Sequence, residues 1–368
     1  MVFCRSYSKK KRGFCKKRAA RQKFAKNCVS FHEVRRMLFA YTKEKEMIPA
    51  SESHEGTSFY CPDCGERLIR KAGKVKIPHF AHRCSGECHG LSEGETPEHL
   101  ELKQLFFSWG NQFEHDWKLE APLSDLPQRP DLLQNKLAVE IQCSSIKGAR
   151  LAERMAGYRQ QGYQDWWLLG KKLWPTDKFS ALQKQFCSFD KERGLHLWLV
   201  EKEQIRLLYH IHEMEQLIYC EECWPSCSQP LSEIIKAPVT KRPIHLFPTI
   251  ESIRKRKQAL SLKLVQSNPK IRVLQHYFYQ ERRHVLYLPD WMYFPSRYSF
   301  FYHDDLLVFR FLFQKEGKNA SRIFDQFLAY REENQREWLF HRIEQREILE
   351  RLYLEALFCQ RKAKVSSA

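Results

Sequence analysis

Residues 131–142 run Asp-Leu-Leu-Gln-Asn-Lys-Leu-Ala-Val-Glu-Ile-Gln, and no other stretch constrains the fold as much. Two apolar runs flank Asn135-Lys136, the composition of a hairpin closed by a two-residue turn. In that register 134 faces 137, 133 faces 138, 132 faces 139, and Asp131 faces Glu140. Directly opposed Cβ atoms lie ~4.5–5.5 Å apart. Side chains alternate along a strand, so Gln142 points the same way as Glu140. That face has no obvious Lys or Arg partner, and its carboxylates are set among Leu132, Leu133, Leu137, Val139 and Ile141. Carboxylates in so apolar a strand are costly unless paired or bound to metal. A divalent cation relieves their repulsion, and hard oxygen donors suit Mg²⁺ or Mn²⁺. The plain alternative is an edge hairpin with a solvated polar face.

The flanking segments place the hairpin in a larger order. Thr96-Pro97-Glu98 starts a helix, with Thr as N-cap and Pro at the first helical position, and Gly110 is expected to stop it. A strand follows near 117–121, then the hairpin, a helix over 147–161 closed by Gly162, and a strand over 165–169. The order αβββαβ predicts an α/β, restriction-endonuclease-like core of the PD-(D/E)xK type. Glu98 is a third candidate metal-site carboxylate, or simply an acid favoured at a helix N-terminus. His99 beside it is a candidate for proton transfer or phosphate contact. The candidate catalytic set is therefore Glu98, Asp131, Glu140 and Gln142, with Asp131 and Glu140 as the Mg²⁺ ligands. In such a site the metal lowers the pKa of a bound water and stabilises charge on a scissile phosphate. Gln142 stands where a Lys is usual; Gln donates a hydrogen bond but brings no charge. Either Lys147, Arg150 or a second metal then supplies the missing cation, or the site is slow.

Cysteine usage points to a second metal. Thirteen Cys without a secretory signal favour thiols and metal ligation over disulfides. Cys61-Pro-Asp-Cys64-Gly is a knuckle, and His79-Phe-Ala-His82 follows it across a strand-turn-strand. Cys61, Cys64, His79 and His82 make a tetrahedral set for structural Zn²⁺, with Cys84 or Cys88 able to replace one His. Cys220, Cys223 and Cys227 are weaker, and are expected to be loop thiols.

The net charge of +18 is unevenly spread. Residues 1–36 hold 13 Lys/Arg against Glu33 alone, leaving 49 basic and 43 acidic residues elsewhere. The segment is either a phosphate-binding arm or an extension upstream of a true start at Met37. The expected organisation is then 37–95, a β-hairpin and zinc-knuckle domain; 96–170, the core; 171–245, a mixed α/β extension; and 246–368, a mostly helical region. No run approaches the ~20 apolar residues of a membrane span, so a cytoplasmic protein is expected. Basic and aromatic residues after 250 (Arg254, Lys255, Arg256, Lys257, Tyr277, Phe278, Tyr279, Arg282, Arg283) either follow a nucleic-acid strand or form a solvated helix face over packed rings.

Taken together, MLFAYTKEKEMIPA, CPDC…KIPHFAH and TPEHLELK…RPDLL…AVEIQCS…GYQDWWLLG resemble the CoiA competence proteins from residue 37 to 170, with LYLPDWMYFP a looser match beyond. The resemblance implies action on incoming single-stranded DNA during natural transformation, beside the recombinase RecA. It carries Asp131, Glu140 and Glu98 into the nuclease-type positions and supports a start near Met37. Three functions follow as expectations: a Mg²⁺-dependent deoxyribonuclease or DNA-processing enzyme, a catalytically weak DNA-binding or recombinase-loading factor, and a zinc-knuckle adaptor for proteins.

Overall fold

The computed structural model describes residues 36–54, 56–62, 64–73, 77–83, 96–213, 217–243 and 248–366. The basic stretch 1–35, Cys84 and Cys88 lie outside the described residues. Six short strands open the fold: β1 (Arg36–Met37), β2 (Phe39–Tyr41), β3 (Met47–Pro49), β4 (Phe59–Tyr60), β5 (Arg67–Lys71) and β6 (His79–His82). They form an antiparallel sheet in the order β1-β6-β5-β4-β2-β3. The expected hairpin about 43–45 is β2 with β3, and Lys45 takes the positive φ (62°) of its turn. Met37, Ala40, Phe59, Leu68 and Phe80 are among its buried side chains.

The central sheet is built from α1 (Pro97–Phe113), β7 (Lys118–Leu119), β8 (Leu132–Gln134), β9 (Leu137–Gln142), α2 (Gly148–Gln160) and β10 (Gln164–Leu169), in the expected order. Thr96 caps α1 by accepting the His99 N–H at 3.2 Å. The helix does not stop at Gly110. A Cβ there would come within 2.7 Å of the Trp117 ring, so this glycine is a packing notch rather than a terminator. The hairpin has the expected register, Gln134 with Leu137, Leu133 with Ala138 and Leu132 with Val139. Asn135, at φ 52°, takes the left-handed turn position that Asn tolerates. Asp131 lies one residue outside the ladder. β10 pairs parallel to β9 because α2 carries the chain back across the sheet.

Beyond α3 (Ala181–Phe186), the 171–245 stretch lengthens this same sheet. β11 (Ser188–Asp190) pairs with β12 (Gly194–Glu201), which lies parallel to β10; β13 (Gln204–Glu213) and β14 (Leu217–Pro225) follow antiparallel, before α4 (Leu231–Ile234). The order is β14-β13-β12-β10-β9-β8-β7. Cys220 and Cys223, expected in a loop, are instead on β14. Helices α5 (Ile250–Val265), α6 (Pro269–Gln280), α7 (Ser299–Tyr302), α8 (Leu306–Glu316), α9 (Ala320–Glu333) and α10 (Gln345–Ser366) complete the chain, giving the helical C-terminal region.

The period of two divides the sheet between two cores. Val139, Ile141, Trp166 and Leu168 pack with Leu102, Phe106 and Trp109 of α1. Ala138, Trp167 and Leu169 pack with Leu151 and Met155 of α2 and, continuously, with Leu260, Phe300, Phe309 and Leu352 of the later helices. Burial on both faces explains why the parallel strands have near-continuous apolar sequences. Among the described residues no helix is long and apolar enough to cross a membrane.

Candidate functional site

Asp131 and Glu140 are both nearly inaccessible, 8% and 2% exposed, at adjoining positions of the hairpin. Their carboxylates are engaged by helices on opposite sides of the sheet, α1 for Asp131 and α2 for Glu140. This corrects the expectation of one shared face, although the Asp131 charge still acts on Glu140. The Asp131 Oδ2 accepts the Ile141 N–H at 2.7 Å and lies 3.0 Å from His99 Nε2; Oδ1 lies 3.2 Å from Lys103 Nζ. Lys103 also pairs with Glu120. His99 and Lys103 are four residues apart, hence on one face of α1. Glu140 extends from mid-β9 toward α2, where Arg154 and the Tyr158 hydroxyl both meet its Oε1. These two are again four apart.

The expectation that the acidic pair lacks a cationic partner is therefore corrected: Lys103 and Arg154 are the partners. Their signals in the sequence are His99-x3-Lys103 and Arg154-x3-Tyr158, two helical spacings that connect to the hairpin only after folding. Burial opposes ionisation of Asp131, but His99, Lys103 and the Ile141 N–H outweigh it and hold its pKa well below the usual carboxylate range. For Glu140 burial prevails. Aided by the Asp131 charge, it pushes the carboxyl up to about 7 against the pull of Arg154 and Tyr158.

The other named residues are placed differently. Gln142, 8% exposed, donates from Nε2 to the Ser144 carbonyl at 2.9 Å, tying β9 to its following loop. Glu98 Oε1 accepts the Lys171 N–H at 3.3 Å, and Glu98 lines a cavity of about 500 Å³ with Glu101, Leu102, Glu201, Lys202 and Glu203. The ligand oxygens of Glu98, Asp131 and Glu140 do not all lie within 4.8 Å of one another. Arg150 pairs with Glu153 at 3.0 Å, so Arg154 rather than Arg150 brings α2's charge to the hairpin.

Among the described residues, one group of three His, Cys, Asp or Glu has its ligand atoms within 4.8 Å: Cys61, Cys64 and His82. Cys64 Sγ lies 3.3 Å from His82 Nε2, and Cys61 Sγ lies 3.9 Å from Met37 Sδ. Two thiols and an imidazole suit a metal ion such as zinc. His79 is outside the group, its Nδ1 2.9 Å from the Ile77 carbonyl. Residues 79 and 82 are an odd number of steps apart on β6, which turns their side chains to opposite faces. Cys84 and Cys88, the other ligand candidates, fall outside the described residues.

Two family models match the chain. "Competence protein CoiA, N-terminal domain" covers residues 41–90, and "Competence protein CoiA, nuclease-like domain" covers 95–237. Competence protein CoiA of Bacillus subtilis (strain 168) is 30% identical over 168 residues, which are 45% of this chain and 41% of that protein. No solved structure matches.

Proposed function

Because the chain belongs to the CoiA family of competence proteins, we propose that it is a metal-dependent deoxyribonuclease or DNA-processing protein. In this reading it acts in the cytoplasm on single-stranded DNA during natural transformation, alongside the recombinase RecA. The observation that carries it is the pair Asp131 and Glu140, buried at adjoining positions of a hairpin in an αβββαβ core, within the span matched by the nuclease-like model. That order supports a PD-(D/E)xK-type core.

Asp131 and Glu140 fit Mg²⁺ or Mn²⁺ by donor type. Asp131 stays ionised, and among the described residues both side-chain partners of Glu140 meet its Oε1. When bound, the metal supplies a Lewis acid for charge developing on a scissile phosphate. Asp131 positions His99, whose ring holds or releases a proton at the edge of the site. Lys103 and Arg154 fix positive charge there, the part that Gln142 lacks. Glu98, whose Oε1 accepts the Lys171 N–H, is the third carboxylate of this reading. The Cys61, Cys64 and His82 group would bind Zn²⁺ as a structural link between the knuckle and β6.

The test is cleavage of labelled single-stranded, duplex and branched DNA with Mg²⁺ or Mn²⁺. Asp131→Asn and Glu140→Gln, near-isosteric changes, are expected to abolish cleavage in a folded chain. If the wild type cuts none of the three substrates, the enzymatic reading fails.

A second reading, a DNA-binding or recombinase-loading factor that does not cut, is favoured by one observation: protein cations already engage both carboxylates. Transformation that survives loss of both acids would support it over catalysis.

A further inference from the structure

Past α6 the chain turns through Tyr-Gln-Glu-Arg-Arg-His-Val-Leu-Tyr, residues 279–287. Tyr277 and Phe278, just before, pack inward against Phe311. Tyr279 and Tyr287 do the opposite and are 78% and 83% exposed. The ring of His284 rests on that of Tyr287, with centroids 4.9 Å apart and planes 35° apart.

The turn is nonetheless fixed. Val285 and Leu288 are buried. The Tyr293 hydroxyl donates to the Val285 carbonyl at 2.6 Å and accepts the Leu288 N–H at 3.0 Å. The Arg283 N–H returns to the Phe278 carbonyl at 2.8 Å. Two large rings are thus held in solvent by a braced backbone.

The charges around them are one-sided. Glu281 is answered by Lys315 and Asp290 by Lys257. Arg282 and Arg283 are exposed, and among the described residues neither side chain has an ion pair or hydrogen bond. Exposed rings offer π-faces to unpaired bases, and free guanidinium groups offer partners for phosphates. Val285 and Leu288 are turned inward, so the exposed surface of the turn is aromatic, basic and polar.

We propose that residues 279–287 form a binding platform for single-stranded DNA, with bases stacking on Tyr279 and Tyr287 and phosphates held by Arg282 and Arg283. The proposal rests on the single-stranded DNA reading above for its ligand, but uses a surface outside the span matched by the nuclease-like model.

The experiment is fluorescence anisotropy of a labelled oligo-dT with the full chain and no added Mg²⁺. Replacing either tyrosine with Ala is expected to weaken binding by about 5- to 150-fold. The Tyr279→Phe/Tyr287→Phe chain should bind like the wild type. The Arg282→Ala/Arg283→Ala chain should show a slope of log affinity against log salt shallower by about 1.4. Unchanged oligo-dT affinity in the tyrosine-to-alanine chains overturns the proposal, as does an equal loss on duplex DNA, whose bases are already stacked. Unchanged affinity with impaired transformation would point to a protein partner instead, and also overturns it. Binding is read without Mg²⁺ and cleavage with it, so either reading can fail without the other.

Discussion

Lys103, 1% exposed, stands between Glu120 and Asp131, so its charge is matched twice over in a place with little water. Removing one member of a buried ionic group leaves the others uncompensated, at a cost of about 3–5 kcal/mol. Lys103→Met should lower unfolding free energy by that amount in urea; a loss of only about 0.5 kcal/mol, typical of a surface pair, would refute the buried network. Glu140 gives a pH test. Its folded pKa of about 7 lies above the ordinary 4.5, so the folded chain holds this proton more tightly than the unfolded chain does. That contribution is complete below about 4.5 and is lost as pH rises through about 7. Melting temperatures of wild type and Glu140→Gln, compared at pH 5 and 8, should shift in favour of the variant at the higher pH. A constant difference would mean that Glu140 does not titrate in this range. Both carboxylates were legible in the sequence, because acids in an apolar strand are conspicuous. Their cations were not, because each lies on a different helix and meets the hairpin only across a packed interface.

At the scale of elements, the alternation of β6 separates two histidines that sequence spacing had joined. Zinc content after dialysis should fall in His82→Ala and persist in His79→Ala. The reverse result would reassign the ligand. The capped start of α1 is a second element-level case. Thr96→Ala removes the acceptor of the His99 N–H and should cost about 1 kcal/mol, read as a lower denaturation midpoint. Element order was legible from 96 to 170 because caps, Gly162 and the Asn135-Lys136 turn are local signals. The two-residue strand β1 was too short to show a period. The end of α1 was misread because Gly110 answers to Trp117, a contact invisible to local pattern. β14 was not legible because Leu-Ile-Tyr-Cys-Glu-Glu-Cys-Trp-Pro has no period of two, and its strand is imposed by pairing with β13.

For the whole molecule, acid should be the weaker side of the stability profile. Burial, with Arg297 adding to it for His212, depresses His196 and His212 to about 4. Among the described residues, neither buried ring nitrogen of His212 has a hydrogen-bond partner. The unfolded chain protonates these residues first, so stability is lost as pH falls from about 6.5 through about 4, opposing the contribution of Glu140. Calorimetry should show the melting temperature dropping from pH 7 to pH 5, and His212→Gln should flatten the slope; equal slopes would exclude His212 as a cause. The helical character of the last third was legible in the sequence, but its purpose was not, since nothing local says which sheet face a helix will cover. Here it covers the face carrying Ala138, Trp167 and Leu169 in one continuous core, clamped by Arg342 on Asp165 at 3.1 Å. The practical consequence concerns expression: a fragment ending at residue 237, where the nuclease-like match stops, would be released with that face bare. Such a fragment should collect in inclusion bodies, so enzymology on this protein has to begin from a chain that keeps its final helices.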